Sequence, residues 1–197
     1  MEFINNSFAT NKILYIFKII SSLYKIELFA VYYIAAIFVY LYYFYKVNNS
    51  HQIFVRTFDN FIVIGISYAA IGVIFAILKF NMNYLRPLCA ENVFTIISKE
   101  NIRCLSSFPS GHSAIATLVL FSLYPNLNLF NRIIVVAMTA AVYLSRISLA
   151  VHYPADVFYS IILASMIILL SKIFVGRIKP ILIKPIARYI FIKLRSI

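Results

Sequence analysis

The chain has 197 residues, of which 63% are hydrophobic and only 12% charged, with a formal net charge of +12 and a mean hydropathy of +0.91. A soluble domain carries about twice that charged share to build its polar shell, so the composition excludes a soluble fold and leaves one helical membrane domain with no second domain. Placement excludes a nucleic-acid role for the positive charge. Arg177, Lys179, Lys184, Arg188, Lys193 and Arg195 are interleaved with Ile, Leu, Phe and Tyr, the composition of an interfacial helix on anionic headgroups rather than of a basic nucleic-acid face.

In chain order, residues 10–27 come first. Asn11, Lys18, Ser22 and Lys25 fall on one helical face, and Ile13, Phe17, Ile20 and Tyr24 on another. The segment reads as an amphipathic interfacial helix, or as an additional span with Lys18 facing protein. No cleavable leader is read, because the apolar run that follows is longer than a signal core and lacks a small-residue cleavage site. Apolar runs at 28–45, 60–78, 113–124, 132–145 and 155–175 are five spans, measured against the roughly 20 residues that cross a bilayer. The short run 113–124 is expected to extend into 109–112 and 126–129. In the second span, Gly65, Ala69, Gly72 and Ala76 form a small-residue stripe, against which a neighbouring helix should pack closely. The expected fold is an all-α polytopic transmembrane bundle of five spans, with a sixth open: residues 28–176 form the bundle and 177–197 a basic interfacial tail.

Three polar stretches interrupt this greasy chain: Lys79 to Pro87, Pro109 to His112, and Ser145 to Asp156. Lys79 ends the second span and His112 opens the third; Ser145 and Arg146 end the fourth, while His152 and Asp156 open the fifth. Ends and starts of successive spans fall on one side of a bilayer, so all three stretches are expected to meet at one membrane face. Lys46, Arg56, Arg132 and the tail cations lie on the other face, which the positive-inside rule makes cytoplasmic. If 10–27 crosses, both termini are cytoplasmic; if it lies on the surface, its three lysines belong to the site's side. Cys89 and Cys104 sit in the connection between the second and third spans. An oxidising periplasm would permit a disulfide there, with two unpaired thiols as the alternative.

Charged groups at membrane depth are costly and usually have a task. Lys79 and Arg86, with Asn83 between them, would share one face of a helix continuing to Pro87; snorkelling at a span end is the plainer reading of these two cations. Ser110 and Gly111 precede an apolar helix whose first N–H groups and positive dipole end suit an anion. His112 there could donate a proton, or simply cap a span. Arg146 offers a planar fork for phosphate oxygens. His152 and Asp156 are four apart, so the carboxylate can fix one ring nitrogen and leave the other as a nucleophile. The alternative is an interfacial histidine beside a helix-start aspartate. A metal site is the weaker rival, because three nearby cations would repel a divalent ion.

Taken together, Lys79-x6-Arg86-Pro87, Pro109-Ser110-Gly111-His112 and Ser145-Arg146-x5-His152-x3-Asp156 resemble the tripartite signature of the type 2 phosphatidic acid phosphatases. The resemblance runs from Lys79 to Asp156. It implies a helical membrane bundle and metal-independent hydrolysis of phosphate monoesters or diphosphates through a phosphohistidine. It also implies the roles: His152 as nucleophile, Asp156 as its orienter, and His112 as acid for the leaving group. Lys79, Arg86, Ser110, Gly111 and Arg146 would cradle the phosphate, with Ser145 part of the same motif.

The expected function is therefore lipid phosphatase at the outer face of a bacterial inner membrane, without cofactor or metal. Its expected partners are a membrane lipid phosphate and the bilayer. Candidate substrates are undecaprenyl diphosphate, phosphatidylglycerol phosphate, phosphatidate and the phosphates of lipid A. The alternatives are a lipid phosphotransferase using the same phosphohistidine and, from another class, a non-catalytic lipid-binding protein or transporter. Oligomeric state is not read from the sequence.

Overall fold

Without water to pair with, backbone N–H and C=O groups in a bilayer must be satisfied within their own segment, so long apolar runs become helices. The computed structural model describes residues 8–46, 51–90 and 104–195, with no strand among them. Its helices are α1 (Phe8–Ser22), α2 (Ile26–Lys46), α3 (His51–Asn81), a short α4 (Pro87–Ala90), α5 (Gly111–Leu123), α6 (Leu129–Ser148), α7 (Pro154–Ile178) and α8 (Lys184–Arg195). A 3-10 turn, Tyr124–Asn126, follows α5, and a π-helical segment, Lys179–Ile183, joins α7 to α8. The molecule is an all-α helical bundle.

Among the described residues, four helices are long and apolar enough to cross a membrane: Ile26–Lys46, His51–Asn81, Leu129–Ser148 and the run Pro154–Leu194. The third expected span, α5, is not among them. It has 13 residues, about 20 Å of helix, against a hydrocarbon core of about 30 Å. It gains only Gly111 and His112 on one side, and on the other a 3-10 turn containing Pro125, whose missing N–H cannot continue the α ladder. It can be short because protein surrounds it. It packs against α3, α6 and α7, with Ala114, Ile115, Ala116 and Leu118 all buried.

The chain passes between the two ends of the bundle five times. Ile26, at the start of α2, lies against Gly111. At the far end, Tyr40 and Phe44 of α2 pack with Phe54 and Val55 of α3 and Ala187 of α8. The middle is held by Ile71 and Phe75 of α3, Ala114 and Leu118 of α5, and Ala164 and Ile168 of α7.

Four expectations change. First, α1 does not cross the bundle: Leu14 packs on Leu149 and Val151, and Ser21 reaches Arg146, so α1 lies along the site end of α6. Its buried positions are Leu14 and Ser21, while Ile13, expected on the apolar face, is 52% exposed. Second, α3 ends at Asn81, so 82–86 is not helical, and Lys79 and Arg86 do not share a continuous helix face. Third, the small-residue stripe is used only at Gly65. A Cβ there would meet the Tyr33 hydroxyl at 2.6 Å, whereas one at Gly72 would meet nothing within 4 Å. The absent side chain lets Tyr33 donate to the Phe61 carbonyl at 2.7 Å. Fourth, the tail helix α8 spends its apolar face on protein: Ala187 is buried, and Ile190, Phe191 and Leu194 pack on the α2–α3 cluster.

Candidate active site

Lys79 stands in the last turn of α3, half-buried. Beyond the helix, 82–86 runs beside 104–107: the Arg86 N–H donates to the Cys104 carbonyl at 2.9 Å, and the Ser107 N–H to the Tyr84 carbonyl at 3.0 Å. Pro87 then opens α4, a position where its missing N–H costs nothing. The Leu88 N–H donates to the Ala150 carbonyl at 2.9 Å, tying this connection to the loop after α6. A disulfide joins Cys89 to Cys104. It pins the two strands that carry Arg86 and Ser107 to each other. The polar segment between the cysteines, 91–101, lies with Lys99 outside the described residues, as does Arg103.

Ser110, Gly111 and His112 form the start of α5. The Ser110 N–H donates to Ser160 Oγ at 2.7 Å, and Ser113 Oγ donates to Ser110 Oγ at 2.9 Å. That leaves the Ser110 hydroxyl proton, with the first N–H groups of the helix, available to an anion. On α6, Ser145 Oγ donates to the Val142 carbonyl at 2.6 Å, so this hydroxyl is engaged with its own helix. Arg146 is buried, donates from Nη1 to Ser21 Oγ at 2.6 Å, and among the described residues has no partner for Nε. Its carbonyl closes the loop, accepting from the Val151 and His152 N–H groups at 3.2 Å each. Ala150, with φ of 52°, takes the left-handed conformation that turns the chain back toward α7.

His152 is only 2% exposed. Its Nδ1 faces Asp156 Oδ2 at 3.7 Å, an ion-pair separation rather than a hydrogen bond. The same Oδ2 accepts from Ser107 Oγ at 2.5 Å and from the Tyr153 N–H at 3.0 Å. The carboxylate is thus clamped from two sides, with its third neighbour the ring nitrogen it would orient. Nε2 is the ring nitrogen left for chemistry. Burial pushes His152 down to about 4; Asp156 opposes this, and the charges of Arg146, Arg86 and Lys79 add to it. The imidazole is therefore neutral at pH 7, the form a nucleophile needs. His112, half-buried at the start of α5, lies within electrostatic reach of Arg146, His152, Lys79 and Lys25. All three polar stretches meet at one end of the bundle.

The cluster's character is surplus positive charge around two histidines. Among the described residues, no three His, Cys, Asp or Glu side chains come together as a metal-ligand set. What converges is three cations, a neutral imidazole facing a clamped carboxylate, and a second histidine at a helix start.

A profile of the PAP2 superfamily matches residues 60–180. The chain belongs to the PAP2 superfamily. The match runs from within α3 to the start of the π segment, and so includes every residue of the three polar stretches. Membership carries phosphatase-type chemistry. Comparison with curated proteins and with solved structures returns no match.

Three side chains of the site were not named from the sequence. Ser160, four residues after Asp156 on α7, was legible in principle as a polar residue on the same helical face. Ser107 carried a weaker signal, a serine two residues before Pro109 in a loop already marked as polar. Ser21 carried none, because it is 125 positions from Arg146 and only the docking of α1 brings it there.

Proposed function

We propose that the protein is a metal-independent lipid phosphatase that hydrolyses a phosphate monoester or diphosphate through a phosphohistidine on His152. The observation that carries this reading is the clamped Asp156 beside a buried His152, ringed by Lys79, Arg86 and Arg146. In the first half-reaction, His152 Nε2 attacks phosphorus in line. The N–P bond forms as the P–O bond to the lipid breaks, and His112 gives its proton to the departing oxygen. In the second, His112 takes a proton from water, whose oxygen attacks phosphorus and breaks the N–P bond. Lys79, Arg86, Arg146, Ser110 and the N–H groups at Gly111 stabilise charge spread over the equatorial oxygens.

A bundle with its site at one membrane end suits a substrate that presents phosphate at headgroup depth. Undecaprenyl diphosphate, phosphatidylglycerol phosphate, phosphatidate and lipid A phosphates share that feature. Two observations favour a site on the outer face of a bacterial inner membrane. The Cys89–Cys104 disulfide belongs in an oxidising compartment, and the cations of α8 lie at the opposite end of the bundle. Because α1 and the turn after it add Lys12, Lys18 and Lys25 to the site end, the disulfide supports this orientation more strongly than charge does.

The test is phosphate release by detergent-purified protein, with EDTA present, across those lipids and beside His152→Ala. EDTA-resistant turnover that disappears in the variant supports the reading, and the ranking of lipids names the substrate. Turnover abolished by EDTA and restored by a divalent cation would overturn metal independence. Release appearing only when an acceptor lipid is supplied would make the protein a transferase. Tight binding of lipid phosphates without turnover would make it a binding protein.

A further inference from the structure

At the end of the bundle opposite the histidines, a groove of about 750 Å³ opens between the first turns of α3 and the π segment with α8. Arg56, Lys179, Lys184 and Arg188 all line it. A second cavity of about 400 Å³ shares Arg56 and Lys179 and adds Lys172 and Asn60. The one acid among these residues is Asp59, which is buried and ion-paired with Lys179. Across the two cavities one carboxylate therefore balances one of five cations, and the groove keeps a strong positive excess.

The sequence builds this shape locally. Pro180 and Pro185 lack the N–H groups that would bond to carbonyls one turn earlier. The chain accommodates them with π-helical bonding over Lys179–Ile183, the kind of irregularity that widens a helix. Lys179 is thereby turned onto Asp59, while Lys184 and Arg188, four apart on α8, project from one face of that helix. The α2–α3 cluster takes the neighbouring face of α8, and Lys184 and Arg188 remain exposed at the groove. Ile192 in the groove's lining, and Ile181 and Leu182 in the π segment that borders it, are all more than half-exposed, at 58%, 74% and 53%. Cations at a bundle end with apolar side chains alongside match a phosphate joined to acyl chains better than a free anion.

We propose that this groove is a second, non-catalytic site for the phosphate of an anionic phospholipid. Arg56, Lys184 and Arg188 hold the headgroup while its chains lie along the exposed isoleucines. The chemistry is that of basic pockets between transmembrane helices that retain acidic headgroups. The site is independent of the catalytic reading. It shares no residue with the histidine end and asks for no hydrolysable group.

Retention of phosphatidylglycerol and of phosphatidylcholine by full-length protein in detergent, measured by native mass spectrometry, tests it. Both are phosphodiesters without a terminal phosphate. Phosphatidylglycerol should be retained about tenfold more strongly, and Lys184→Gln/Arg188→Gln should remove about tenfold of that retention, since each cation near an acidic headgroup contributes appreciably. Both substituted side chains are exposed, and elution as a single species with parental phosphatase activity shows that the variant folds. Arg86→Gln, at the catalytic end, should leave retention unchanged, and excess inorganic phosphate should not displace the lipid. Equal retention of the two lipids would overturn the proposal. So would loss of retention in Arg86→Gln rather than in the double variant, which would place the lipid at the histidine end. Displacement by inorganic phosphate would mark a free-anion site instead.

Discussion

The two ends of this bundle are both basic, but they are organised differently. At the α3–α4, α5 and α6–α7 end, Arg146 and His152 are buried, and the carboxylate beside the histidine accepts from Ser107 and the Tyr153 N–H. At the α8 end, Lys184 and Arg188 are exposed, and among the described residues no histidine–carboxylate pair accompanies them. The difference is one of organisation rather than charge. Cations at a wet surface attract an anion, whereas cations fixed around a dry, neutral imidazole can stabilise charge that develops during a reaction.

The sharpest way to break the comparison is to remove the nucleophile. His152→Ala should lower kcat by about 10⁴-fold or more, while Arg188→Gln at the other end should change it by less than about twofold. Equal effects in a phosphate-release assay would erase the distinction. Next in size is the orienter: Asp156→Asn keeps the shape but loses the charge that selects the tautomer, and should cost about 10²-fold or more in kcat. Ser107→Ala should follow with about a tenfold loss in kcat at nearly constant KM, since Ser107 acts through Asp156 and not on substrate. Ser107→Thr, which restores a hydroxyl, should recover much of it.

The pH profile sharpens the same contrast. His152 must be neutral to attack, and burial with three neighbouring cations holds it down to about 4. The rate kcat/KM should therefore rise with pH through that region and be on its plateau well below pH 6.5, the usual histidine value. Arg86→Gln removes one of the lowering charges, so the acid limb should move to higher pH in that variant. Arg188→Gln should leave the limb in place. A limb that stays put in Arg86→Gln would show that this cation does not act on His152.

The smallest effect belongs to the far end. Asp59→Asn leaves Lys179 without its counter-ion. Because Lys179 is 36% exposed and water screens it, the loss should be about 1 kcal/mol, or about 2–4 °C in Tm. Thermal unfolding in detergent measures it, with kcat expected to stay within about twofold.

Much of this architecture was legible from local pattern. Apolar runs marked the helices, and the alternation of polar stretches between span ends and span starts implied that Lys79, His112, Arg146 and His152 would share a face. Both follow from one constraint: a buried backbone in a bilayer has to pair with itself, so the chain can only go straight across and turn at the surface. The four-residue step from His152 to Asp156 was equally readable, because one helical turn sets their separation.

What the sequence could not determine is whatever depends on how helices choose neighbours. The apolar pattern of 113–124 does not say that protein encloses α5 and permits it to be short. The amphipathic pattern of 10–27 does not say that α1 folds along α6 and hands Ser21 to Arg146. The small-residue stripe of α3 does not say that only Gly65 meets a neighbour. The basic tail does not say that α8 turns back onto α2 and α3, leaving a cationic groove behind it. Periodicity records which face of a helix is apolar, not which surface covers it; lipid and protein interiors are equally apolar, and only packing between distant segments distinguishes them.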